Sequence, residues 1–168
     1  AVLLLMVAAI SLCFLTGMVP RPLAAAYSLL VAGMLLVGQR ASANVALAAS
    51  VIVWLGSTAM FAITAQAARS RIDAIAAQQF PDSTLVDRIV TPMPVNPACW
   101  EVMMLQKESD NVVLRRAMLT MAPGLLTADR CLSRSLDIKI TAPLVPVPKQ
   151  STEQVKWYGQ ISTPLARL

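Results

Sequence analysis

The stretch TPMPVNPACWEV, Thr91 to Val102, places three prolines within six residues, just before an apolar run of strand type. Proline fixes φ, lacks a backbone donor and pushes the preceding residue into an extended conformation. Such residues suit the beginning of a strand or a sheet edge, and Asn96 before Pro97 favours a turn. We therefore interpret the stretch as a rigid entrance to a β-hairpin, with Trp100 as its first core residue. A proline-rich peptide ligand, here or in 143–148, is the alternative.

Residues 99–121 have the pattern of this hairpin. Residues 100–107 predict one strand and 112–121 the returning strand, with turn chemistry over 108–111, since Asp and Asn side chains bond their own backbone. A helix over 112–121, or a strand covered on both faces, stays open because apolar residues also fall between the expected core positions. The expected core positions of the first strand are Trp100, Val102 and Met104.

The rest of the C-terminal half predicts only short extended segments. A strand is expected over 85–90 and another over 136–140, where apolar and charged residues alternate. Residues 142–148 (APLVPVP) predict a polyproline-like conformation.

Composition indicates a membrane protein. Of the 168 residues, 57% are hydrophobic and 14% are charged, whereas a soluble domain carries about 25% charge. The first 80 residues hold four arginines and one acid, while 81–168 hold ten basic and eight acidic residues. The net charge of +5 is spread thinly and does not form the basic stripe that a nucleic-acid partner requires.

Three uncharged runs predict transmembrane helices at about 1–19, 23–38 and 43–68, so the lipid bilayer is the first expected partner. An amphipathic stalk helix over 69–80 should lead to a small extramembrane domain over 81–168. The predicted fold class is thus membrane α-helical, with about three transmembrane helices, followed by a small α+β or mostly β domain. A buried helical hairpin is the alternative to membrane spans.

Arginines at the helix ends suggest an orientation. Arg21, Arg69 and Arg71 fall on one side of the predicted membrane and Arg40 on the other. Since basic residues are enriched on the cytoplasmic side, this pattern favours a cytoplasmic C-terminal domain.

Few residues carry recognisable chemistry. Histidine is absent, which excludes Ser–His, Cys–His and His–metal arrangements within this chain. Cys13 is expected to pack within a membrane helix, and Cys99 and Cys131 are expected to be unpaired buried thiols. A disulfide between the last two is the alternative, if the domain faces an oxidising compartment.

The order of parts resembles the C-terminal portion of the bacterial membrane-bound metal-dependent hydrolase family, which is LexA-regulated and associated with the inner membrane. Members carry a V-T-P-x-P-x-N-x-x-x-W-x-V-V stretch after their last transmembrane helix, followed by a hairpin. The chain matches it at Thr91, Pro92, Pro94, Asn96, Trp100 and Val102, and Met103 replaces the second valine. The resemblance covers about 20–121.

The resemblance implies a multi-pass inner-membrane protein whose catalytic divalent metal is bound upstream, in a His-Arg-Gly-x-Thr-His-Ser motif and further His/Asp positions. None of these is present, so no catalytic, metal-binding or cofactor-binding residue is assigned to this chain. Because the sequence begins at Ala1 inside an apolar run, we expect it to be a fragment that lacks this transmembrane catalytic region, its second expected partner. A membrane-anchored binding or scaffold module is the non-enzymatic alternative. The motif residues with an expected structural or interface role are Thr91, Pro92, Pro94, Asn96, Pro97 and Trp100.

Overall fold

A computed structural model describes residues 21–93, 96–134, 144–147 and 151–167. They form two compact units that are divided between Ala62 and Ile63 and are here called the first and second unit. The elements in chain order are α1 (Arg21–Arg40), α2 (Ala43–Gln79), β1 (Thr84–Met93), β2 (Asn96–Glu108), β3 (Asn111–Thr120), α3 (Ala128–Arg134), β4 (Val155–Pro164) and a 3₁₀ turn (Leu165–Arg167).

Helices α1 and α2 are each long and apolar enough to cross a membrane. They contain the predicted spans 23–38 and 43–68, whereas the predicted span 1–19 lies outside the described residues. Pro22 is in the first turn of α1, where its missing donor costs nothing. The Ser50 hydroxyl donates to the Ala46 carbonyl at 2.9 Å and the Thr58 hydroxyl to the Trp54 carbonyl at 2.9 Å. These bonds satisfy polar side chains within the helix, as a spanning segment requires.

The C-terminal part of α2, from Ile63, belongs to the second unit. Ala68, Ile72 and Ala76 are buried on one face because residues four apart align along a helix. Nη1 of Arg71, on the same helix segment, donates to the Met121 carbonyl at 3.1 Å. The segment for which we expect a stalk is therefore tied into the fold that contains the sheet, and the helix ends at Gln79 before Pro81.

The four strands form one antiparallel sheet in the order β1-β2-β3-β4. Strand alternation divides it into two faces, here named after neighbouring residues of β2. The Trp100 face carries the fully buried Trp100, Val102, Met104, Ala117 and Leu119. The Glu101 face carries the buried Cys99 and Met118 at one end and half-buried side chains, among them Glu101, Met103 and Leu105, along the rest of β2. The expected core positions of the first hairpin strand are thus confirmed.

The predicted hairpin is confirmed as β2 and β3, with Glu108 paired to Asn111 across the turn. Ser109 has a φ of 50°, in the left-handed region that turns between two strands require. Strand β3 excludes the helix considered for 112–121.

Strand β4 has no counterpart in the sequence-based prediction. It pairs with β3 from Asn111 to Leu119, with one irregularity between Arg116 and Ala117. The strand expected over 136–140 lies outside the described residues. In the described part of the extended segment, Val145 pairs with Gln160 through N–O distances of 2.9 and 2.8 Å. A Cβ on Gly159 would lie 3.2 Å from the Leu144 side chain, so glycine permits this close approach.

The prediction that Cys99 and Cys131 are unpaired is wrong. They form a disulfide that joins the start of β2 to α3 across 32 residues. Both are buried in a cluster with Met118 and Leu126, against which Met93 packs. Folding places α3 over this end of the sheet, a long-range contact that residue spacing alone does not reveal.

Candidate functional site

The family-motif residues lie at the connection between β1 and β2. Thr91 and Pro92 lie near the end of β1, which is Met93, and Asn96 begins β2. Pro94 is outside the described residues. The Asn96 side-chain oxygen accepts from the Ala98 amide at 3.1 Å, which is local turn chemistry. The Trp100 indole donates to the Pro97 carbonyl at 2.8 Å, and its side chain is 1% exposed. Trp100 is therefore part of the core and not of a binding surface.

A buried polar network occupies the Trp100 face where α2 ends. Arg115 is 5% exposed and donates to Gln106 Oε1, and to Glu108 Oε1 at 2.6 Å. Its guanidinium lies 3.8 Å from the centre of the Phe80 ring. Gln106 in turn donates to the Ser83 hydroxyl at 2.8 Å. A buried charge requires such partners, so the network explains why an arginine is tolerated here.

Aromatic contacts connect the same network to β4. The Trp157 indole donates to the Gln79 side-chain oxygen. The Phe80 and Trp157 rings meet edge to face with centroids 5.1 Å apart, a favoured geometry for aromatic pairs. Gln79 at the end of α2 and Phe80 just after it are thereby held against the edge strand β4 and the central strand β3.

The Glu101 face carries a second polar cluster. Arg116 forms an ion pair with Glu101, and the Tyr158 hydroxyl donates to the same Glu101 oxygen at 2.7 Å. The Arg116 guanidinium lies 5.3 Å from the Tyr158 ring centre. The cluster thus joins a carboxylate from β2, a guanidinium from β3 and a phenol from β4.

The surroundings shift the ionisation of this cluster. Burial disfavours ionised Glu101, but the hydrogen bonds from Arg116 and Tyr158 outweigh it and hold its pKa below the ordinary 4.5. Burial, together with the Glu101 carboxylate, raises the pKa of Tyr158 well above its ordinary value. At neutral pH the cluster is therefore a carboxylate accepting from a guanidinium and a protonated phenol, an arrangement that fastens strands together and leaves no free base.

We expect Glu101→Gln to reduce the acid sensitivity of the sheet. A carboxyl whose folded pKa is depressed stabilises the fold above its unfolded pKa, and this contribution is lost as pH falls through the folded pKa. The thermal midpoint of the native chain should thus fall below about pH 4.5, the ordinary value for Glu101, and fall less in the variant. Asp129→Asn is the control, because Asp129 pairs with Lys156 but its side chain is 67% exposed. Equal acid sensitivity of native and Glu101→Gln chains would contradict this role.

Neither cluster was predicted from the sequence. In the described ranges, no three or more His, Cys, Asp or Glu residues are grouped so that they could hold a metal ion. Comparison of the chain with protein-family models, with curated proteins and with solved structures finds no match.

Proposed function

We propose that this chain is the membrane-anchoring and accessory part of an inner-membrane metal-dependent hydrolase. The observation that carries the anchoring is the contrast along α2. Ile52, Trp54 and Ile63 are 65–69% exposed, whereas Ala68, Ile72 and Ala76 are 0–4% exposed. Exposed apolar side chains of this density are unfavourable in water and favourable in lipid. The helix thus anchors with one part and contributes to the core of the second unit with the other.

The hydrolase assignment rests on the motif and on the order of parts. The motif residues Asn96, Pro97 and Trp100 form the connection that starts β2, a structural role in keeping with their not being catalytic. Since the chain contains no histidine, the catalytic divalent metal would be held by the His/Asp motifs that the family carries upstream. The second unit would then pack beside that catalytic region and support it.

The coding sequence upstream of Ala1 tests this assignment. We expect it to encode apolar helices with a His-Arg-Gly-x-Thr-His-Ser motif, and we expect divalent metal to co-purify with the joined polypeptide. A joined polypeptide with both motif histidines replaced by alanine is the control and should lose the metal. An upstream region without a His/Asp-rich transmembrane segment would contradict the hydrolase assignment.

A non-enzymatic binding or scaffold module is the second candidate, and the Glu101 face favours it. Ile89 is 57% exposed there, and Met103, Leu105 and Leu114 are half-buried. Such a surface suits contact with another protein. If the upstream region lacks the metal motif, this reading takes the place of the first.

The disulfide bears on orientation. Arginine placement favours a cytoplasmic domain, but only by three residues against one. Disulfides persist in oxidising compartments and are rare in the cytosol. The Cys99–Cys131 bond therefore supports a second unit on the oxidising side of the membrane, opposite to the side that the arginines favour.

A further inference from the structure

An exposed apolar loop follows β3 at one end of the sheet, within the second unit. Residues 121–126 (MAPGLL) carry no charge. The Leu125 side chain is 70% exposed, whereas Leu126 next to it is 2% exposed and belongs to the disulfide cluster. A single exposed leucine is common on protein surfaces. The position of Leu125 relative to α2 decides what this leucine can contact.

Hydrogen bonds close the loop into a compact turn. The Leu125 and Leu126 amides both donate to the Ala122 carbonyl, at 3.0 and 2.9 Å. The Met121 amide donates to the Ala98 carbonyl at 2.7 Å and so ties the start of the turn to β2. Leu125 is therefore presented by a hydrogen-bonded turn that is attached to the sheet.

Contacts with α2 show which end of the sheet carries this turn. Nη1 of Arg71 donates to the Met121 carbonyl, just after β3. Phe80, which follows α2, lies against Arg115 in the middle of β3. Helix α2 and strand β3 therefore run in opposite directions. Strand β3 leads back towards 63–68, the uncharged residues of α2 within the second unit.

The turn also lies at the level where a bilayer around α2 would end. Arg71 follows Ala68, the last residue of the uncharged run, by three residues, which is a rise of about 4.5 Å. Side chains on a helix point towards its N-terminus, so the Arg71 guanidinium and the Met121 carbonyl lie closer still to the uncharged run. Arginine is itself common at the edge of a membrane span. When α2 spans a bilayer, the turn that follows Met121 is therefore at the level of the headgroups.

We propose that the turn 122–125 is a second membrane contact of this chain, with the Leu125 side chain inserted among the lipid headgroups beside α2. Lipid is the partner because the turn is uncharged, its leucine is exposed, and it lies at the end of the span on the membrane side of the sheet. An apolar side chain at this level is favoured by contact with the upper acyl chains. The two contacts together restrict rotation of the second unit against the bilayer. The inference rests on the proposed membrane anchoring by α2 and not on the hydrolase assignment.

Site-specific fluorescence of the full chain in nanodiscs tests this contact. The chain carries Cys13→Ser and keeps its Cys99–Cys131 disulfide, so that a fluorophore labels only one introduced cysteine. Gly124→Cys places the label beside Leu125, at a position where an added Cβ meets nothing within 4 Å. The nanodiscs consist of phosphatidylcholine, part of which carries a nitroxide quencher near the top of the acyl chain. We expect the nitroxide to quench the label at Gly124→Cys.

Two further label positions distinguish the possible outcomes. Ile63→Cys replaces a 69% exposed residue near the end of the uncharged run and should be quenched if α2 spans the bilayer. Asp110→Cys lies in the β2–β3 turn, at the opposite end of the sheet, and should not be quenched. Quenching at Ile63→Cys without quenching at Gly124→Cys would overturn this inference and leave the anchoring intact. Absence of quenching at Ile63→Cys would overturn the anchoring and this inference with it.

Leu125→Asp tests whether the leucine supplies the contact. The fold should tolerate this change because the side chain is exposed. The variant should lower the ratio of inserted to withdrawn turn by about tenfold or more, the transfer preference of one leucine side chain, and so weaken quenching at Gly124→Cys. Val86→Asp, the matched control at a 59% exposed position near the start of β1, should leave the quenching unchanged.

Two results of the variant experiment would overturn the proposal. One is equal quenching at Gly124→Cys with and without Leu125→Asp, which would show that the leucine does not make the contact. The other is a blue shift of the label emission without quenching by the lipid nitroxide. This second result would show that a second copy of the chain, and not lipid, covers the turn.

Discussion

Trp100→Ala is expected to lower the free energy of unfolding of the second unit by about 3–5 kcal/mol. The side chain is 1% exposed at the start of β2, where it faces Leu119 of β3 and Pro92 of β1. Its removal leaves a cavity between three strands and also deletes the indole bond to the Pro97 carbonyl. Amide hydrogen exchange of β2 and β3 in the detergent-solubilised chain measures the loss, because these central strands should open only with the whole sheet.

Two further variants serve as controls for Trp100→Ala. Trp54→Ala removes a side chain that is 65% exposed on α2 and should change exchange of the sheet by no more than about 0.5 kcal/mol. Trp100→Phe keeps most of the buried ring and should recover most of the loss. A stable sheet in Trp100→Ala would show that Trp100 is not a core anchor and would return it to consideration as a functional residue.

Loss of the Cys99–Cys131 disulfide should be the other large effect. The bond closes a 32-residue separation, and a closed loop of that length stabilises a fold by roughly 3–4 kcal/mol through the unfolded chain. Helix α3 has only seven residues, so the disulfide is its main attachment to β2. We expect Cys99→Ser and Cys131→Ser each to destabilise the second unit, as measured by the thermal midpoint with and without reductant.

The reductant supplies an internal control for this prediction. The reductant should lower the thermal midpoint of the native chain and of Cys13→Ser. It should not lower the midpoints of Cys99→Ser and Cys131→Ser any further, because these variants already lack the disulfide. A native chain whose midpoint does not respond to reductant would contradict a stabilising disulfide.

The β2–β3 hairpin could be predicted because its signals are local. The turn residues Glu108 to Asn111 and the alternation from Trp100 onward are both contained in neighbouring residues. Strand β4 could not, because Gly159 and Pro164 weaken its local preference and its pairing partner β3 is distant in the chain. The packing of the C-terminal part of α2 in the second unit was missed for a similar reason. The apolar spacing of Ile72 and Ala76 is the same in a helix that packs in a domain core and in a stalk helix that does not.

The polar clusters were missed because each depends on register. The tight turn after Glu108 places Met103 opposite Arg116 and Met104 opposite Arg115. In this register Glu101 and Arg116 lie on the same face of the sheet, on neighbouring strands and offset by two residues. A sequence-based prediction that fixed the register would therefore have found this ion pair. Tyr158 joins one cluster from β4, and Ser83 joins the other from the turn between α2 and β1. No local sequence pattern predicts either contact.

The proposed position of the disulfide-closed sheet domain, anchored in the membrane on its oxidising side, is tested most directly by thiol labelling. The experiment uses spheroplasts that express the Cys13→Ser chain. In this variant Cys99 and Cys131 are the remaining two of the three cysteines. Without reduction, a membrane-impermeant maleimide should label neither cysteine. After treatment with a membrane-impermeant reductant, in mild denaturant that leaves the membrane sealed, the same maleimide should label both cysteines. The contradicting result has two parts. A permeant maleimide labels both cysteines without reduction, and the impermeant maleimide labels neither under any of these conditions. This result would place both cysteines in the cytosol as free thiols.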